Sequence, residues 1–110
     1  MTGSARHEEL QRIEQLKTKI SPELRPGEDR VVANAGADRA EIAHLYERLD
    51  RHDDAVRWYL AASDFCSACG QVPKAYTYAR SALKVNPLDP GVRERLAIIM
   101  AQLGLADTEA

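Results

Sequence analysis

Aromatic residues are scarce in this chain: one Trp, four Tyr and one Phe make up 5% of 110 residues. Positive charge is not in excess either, because 15 Lys and Arg face 17 Asp and Glu for a formal net charge of -2. That balance argues against a nucleic-acid-binding or membrane-surface protein, which needs a cationic excess to neutralise phosphates. No apolar run approaches the ~20 residues that cross a bilayer. The opening MTGSARHEEL has no apolar core and does not read as a signal peptide. Two cysteines without an export signal point to a reducing, cytoplasmic setting. What is present suffices for one small folded domain, with 45% apolar and 29% charged residues.

The rings cluster at Tyr46, Trp58, Tyr59, Phe65, Tyr76 and Tyr78, which centres the expected core in the middle of the chain. Prolines 22, 26, 73, 87 and 90 divide it into segments, since proline lacks the N–H that a helix interior uses. Residues 1–20 hold an amphipathic helix over about 5–20, with Leu10, Ile13, Leu16 and Ile20 on one arc and Glu8, Glu9, Arg12, Lys17 and Lys19 filling much of the rest. It either packs on its own domain or pairs with a partner or a second copy. Residues 21–37 read as a linker, pinned by Val31 and Val32, with Asp38 as the N-cap of the next helix. Four helices follow within 38–105, at about 38–50, 53–69, 72–86 and 90–104. Asp53 or Asp54 is expected to cap the second, Pro73 to open the third, and Gly70 and Gly104 to act as stops. Residues 106–110 form a tail. No segment alternates as a strand does, so the fold class is all-α.

Chemical motifs are few. Cys66 and Cys69 form a C-x-x-C pair, but at a helix C-terminus, where the dipole opposes the thiolate that redox chemistry needs. Zinc needs about four ligands, and there is no second pair. His7, His44 and His52 lie on three different segments. Asp50, Asp53, Asp54 and Asp64 lack the glycine turn and spacing of a calcium loop. No phosphate-binding glycine loop and no motif for a nucleophilic serine is found. We therefore expect no catalytic residue, no metal and no cofactor. Trp58, about 100° around the helix from Tyr59, belongs near a boundary or an interface.

Internal repetition is the most informative pattern. The segment KAYTYARSALKVNP, with Ala75, Ala82, Leu83 and Pro87 and with Gly70 upstream, resembles the second helix of a tetratricopeptide repeat. Ile42, Ala43 and Tyr46 match the first-helix pattern of that family, Ala55 and Tyr59 the positions that follow, and Leu96, Ala97, Met100 and Gly104 the next first helix. The chain departs from the family at Arg39 and Arg93, where a large apolar residue is usual, at Ala79, which has Tyr78 beside it, and at Ser67 in the closing-proline place. Ala55 and Ala75 are 20 residues apart, against about 34 in a full repeat. The second helix must then serve both its neighbours, in an array of one repeat plus halves. Similar long-helix segments occur in multidomain bacterial regulatory proteins.

The resemblance implies a TPR-like α-α superhelix and a non-enzymatic adaptor that binds a protein segment or helix in a groove, or associates with itself. In the family the groove is lined by first-type helices. Carried over, these positions are His44, Glu47 and Arg48, then Glu94, Ile98 and Gln102, with Asp64 if the second helix also takes part. The residues with which some members clamp a C-terminal carboxylate are absent from these places. Roughly two repeats are fewer than the three that normally bury a continuous core, and Ile98 and Leu105 point away from the Leu96–Ile99–Leu103 stripe. Such side chains call for cover, from the N-terminal helix folding back or from another copy, and a homo-oligomer is expected. The alternative is a regulatory or redox-responsive protein that uses Cys66 and Cys69.

Overall fold

Gly70 and Gly104 each follow a helix, and Pro73 and Pro90 each open one. The computed structural model describes residues 2–19 and 29–104, with side chains over 6–18 and 36–104. Among the described residues the chain is all-helical: α1 Thr2–Lys19, α2 Asp29–Arg48, α3 His52–Ala68, α4 Val72–Val85 and α5 Pro90–Gln102. Ile20, Leu105 and the tail lie outside the described residues, as do the side chains of Val31 and Val32.

The turns after α2 and α3 are built alike. Gly70 takes φ +81°, and the Gln71 N–H reaches back to the Cys66 carbonyl at 2.8 Å. Asp50 takes the same left-handed place at φ 61°, and the Arg51 N–H donates to the Tyr46 carbonyl at 2.9 Å. Both are the closing loop in which a residue beyond the cap satisfies a carbonyl of the last turn. The Arg51 guanidinium lies 5.2 Å from the centre of the Tyr46 ring. Pro73 and Pro90 open α4 and α5. The Asp89 carboxylate accepts the Gly91 and Val92 N–H groups at 2.8 and 3.2 Å and caps α5.

Two local expectations are corrected. Helix α2, expected to start at about 38, begins at Asp29, so residues 29–37 of the expected linker are helical and Asp38 lies in a helix interior. Beyond Pro26 and Gly27 this stretch holds no further proline, and its alanines are strong helix formers. Gly36, the loop-like signal, is instead a point of close approach: a Cβ there would meet the Cys66 sulfur at 2.8 Å. The α3 cap is Arg51, without a side-chain cap bond, and Asp53 and Asp54 lie in the first turn. There they complement the positive end of the helix dipole, and Asp54 pairs with Arg51 at 2.7 Å.

Consecutive helices are neighbours. Contacts of Gly36 with Cys66, Arg39 with Phe65 and Glu47 with Tyr59 run in opposite directions along α2 and α3, so the pair is antiparallel. Short connections carry the same arrangement into α4 and α5. The shortest dimension of the Cα trace is 15 Å, about one interhelical spacing plus a helix's own Cα width, which fits two layers of helices.

Ala43, Ala55, Ala62, Ala75, Ala79 and Ala82 are all fully buried, and their small side chains let the helices approach closely. Among the described residues Ser63 is the one buried polar residue, and its hydroxyl donates to the Ala75 carbonyl at 2.8 Å across the α3–α4 seam. The core has two parts. One runs from Ala43 and Val56 through Cys66, Ala75, Ala79 and Ala82 to Val92, Leu96 and Ile99. The other gathers Ile13 and Leu16 of α1 on Ile42, Tyr46, Leu49 and Ala55. Trp58 and Val85 pack against both.

Candidate interaction surface

The seven residues expected to line a groove meet different fates. On α2, His44 is exposed, and its Nδ1 lies 4.0 Å from Glu47 Oε1. Glu47 accepts the Tyr59 hydroxyl at 3.1 Å. Burial, and then the neighbouring Glu47 charge, push the Tyr59 pKa up to about 12. Arg48 pairs with Glu9 of α1 at 2.8 Å. On α3, Asp64 takes both arms of Arg95 of α5, at 2.8 and 2.9 Å. Glu94, Ile98 and Gln102 are exposed, and Ile98 keeps 55% of its surface in solvent.

These residues form two groups. Asp64 is brought beside Arg95 and therefore beside the α5 strip, in which Glu94, Ile98 and Gln102 recur every four residues on one helix face. His44, Glu47 and Arg48 form the other group, held to α3 through Tyr59 and to α1 through Glu9. Glu47, Arg48 and Asp64 already have partners within the chain. A ligand would have to displace these contacts, whereas His44, Glu94, Ile98 and Gln102 lie open to solvent.

Two further features did not emerge from the sequence. The first is the seat of α1. Ile13 and Leu16 are 1% exposed, Arg12 pairs with Glu41 at 3.1 Å, and Lys17 donates to the Tyr46 hydroxyl at 2.8 Å. The Lys17 ammonium also lies 5.3 Å from the Tyr46 ring and 5.7 Å from the Trp58 ring, an attraction to the negative ring faces. The boundary expected at Trp58 is thus the junction of α1 with both parts of the core. The second is the outer face of α4, where Tyr76, Thr77, Arg80, Ser81 and Lys84 line an open hollow of about 260 Å³. The available signal was compositional: VPKAYTYARSALKV contains three cations and no carboxylate.

Cys66 is buried and Cys69 half-buried, both as free thiols. Burial raises the Cys66 pKa, which lowers its thiolate fraction and its reactivity. Among the described residues, no three His, Cys, Asp or Glu side chains are placed to hold a metal ion, and no helix is long and apolar enough to cross a membrane. Comparison of the chain with protein-family models, curated proteins and solved structures finds no match.

Proposed function

We propose that the chain is a non-enzymatic interaction module of the tetratricopeptide type, which binds a segment of a partner protein or a second copy of itself in the cytoplasm of a bacterium. The observation that carries this reading is the α5 strip. Ile98 is 55% exposed on a helix whose Val92, Leu96 and Ile99 are buried, with Glu94 and Gln102 one turn away on either side. An exposed branched aliphatic residue flanked by polar groups suits a contact with an apolar centre and a polar rim. The antiparallel helices and their buried alanines are consistent with a stacked-hairpin array. The free thiols fit a reducing compartment.

The test is capture from an extract of the source cells on the immobilised chain. Proteins retained by the wild type and lost when His44 and Ile98 are both replaced support the reading. An identical retained set for both chains contradicts it.

A further inference from the structure

We propose that the exposed face of α4 is a docking site for an acidic segment of a partner protein. The inference rests on reading the chain as an interaction module, but it uses a different face from the α5 strip.

Lys74, Arg80 and Lys84 sit on a helix without a single Asp or Glu, in a chain whose net charge is -2. Elsewhere Arg12, Arg48, Arg51, Arg57 and Arg95 each lie within ion-pair distance of a carboxylate. Among the described residues, no carboxylate stands that close to Lys74, Arg80 or Lys84, and all three are exposed. A helix face of uncompensated cations repels itself, and a matching acidic ligand relieves that repulsion.

Thr77, Arg80, Ser81 and Lys84 recur at steps of three and four, which places them along one side of the helix, beside the hollow. Arg80 donates to the Tyr76 hydroxyl at 3.0 Å and lies 5.7 Å from the ring centre, so its guanidinium is held at the hollow's wall. The Tyr76 hydroxyl keeps its own hydrogen to donate. Thr77 and Ser81 spend theirs on the carbonyls of Pro73 and Thr77, each at 3.2 Å. The donors open to a ligand are therefore Tyr76, Arg80 and Lys84, a set that suits carboxylates roughly one helical turn, ~5.4 Å, apart. Three cations on an otherwise anionic chain are too few for the phosphate tracking on which nucleic-acid binding depends.

The probe is a short fluorescein-labelled alanine peptide carrying Glu residues one helical turn apart, titrated with the full chain and followed by fluorescence anisotropy. Saturable binding is expected, weakening as salt is added. The double variant Arg80→Glu/Lys84→Glu should bind about tenfold more weakly, as the loss of two exposed pairs implies. Arg57→Glu on α3 should leave the affinity within about twofold. Circular dichroism confirms that each variant keeps its helices. The proposal is overturned if the peptide does not bind, if its Gln counterpart binds equally well, or if charge reversal on α4 changes nothing. It is also overturned if a single-stranded RNA of equal charge binds more tightly through the same residues. Each of these leaves the α5 strip to its own test, because Ile98 lies outside this face.

Discussion

Between α3 and α4 the helices meet through Ala75, Ala79 and Ala82, all with no exposed surface, and one buried hydroxyl, Ser63. Between α1 and α2 they meet through two large aliphatics, Ile13 and Leu16, with Arg12–Glu41, Arg48–Glu9 and Lys17–Tyr46 around them. An alanine seam leaves no room, so any added atom forces two backbones apart. The α1 seam is a local plug. Large side chains fill a depression, charges at its edge set the orientation, and removal of the plug leaves the α2–α5 array with its own core. The difference separates what holds the body together from what is added to it.

The strongest way to break the comparison is to place the same charge in both seams. Ala79→Asp buries an unpaired carboxylate at a fully enclosed site and should cost about 3–5 kcal/mol, a large part of the about 5–15 kcal/mol that stabilises a domain of this size. A cooperative thermal melt checks it. Leu16→Asp should release α1 with a loss of about 2–3 kcal/mol, the burial of one aliphatic side chain with part of its neighbour's. The other helices should survive. Trp58, the only tryptophan, reports the event, because it packs at the junction with α1 and near the Lys17 ammonium. Its emission should shift to the red while hydrogen exchange stays slow in α3 and α4.

Smaller changes sharpen the contrast. Ser63→Ala deletes the hydroxyl bond to Ala75 and should cost about 1 kcal/mol by denaturant titration. Alkali probes the α2–α3 contact. Tyr59 ionises near 10 in the unfolded chain but at about 12 in the folded one. As pH rises past 10 the unfolded state releases this proton first, so the native state loses stability progressively until Tyr59 itself ionises. Tyr59→Phe should remove that part of the alkaline slope, measured as denaturation midpoints across this range. The smallest effect is expected from Arg12→Gln: its pair with Glu41 is exposed, so the denaturation midpoint should barely move, and the difference should shrink further in salt.

Most helices were legible in the sequence because their stops are local: Gly70, Pro73, Pro90 and Gly104 act through their own backbone. The start of α2 was not, because Gly36 reads as a loop signal until Cys66 is known to lie against it. Nor was the α3 cap. Asp50 is spent on the left-handed turn that closes α2, which leaves Arg51 at the cap position. Of the candidate surface, the exposure of Ile98 followed from helical spacing, while Glu94 and Gln102, also exposed, were reached only through the family resemblance. The ties of Glu47, Arg48 and Asp64 did not, since Tyr59, Glu9 and Arg95 come from other helices and their pairing depends on tertiary packing.

The claim that these helices present the α5 strip as a binding surface is checked by fluorescence-detected sedimentation of the labelled full chain, alone at micromolar concentration and in extract of its source cells. A species larger than one chain is expected in at least one of the two conditions, and its loss on Ile98→Glu with helical content unchanged. A chain that sediments as a lone monomer in both, or a larger species indifferent to Ile98→Glu, would contradict it.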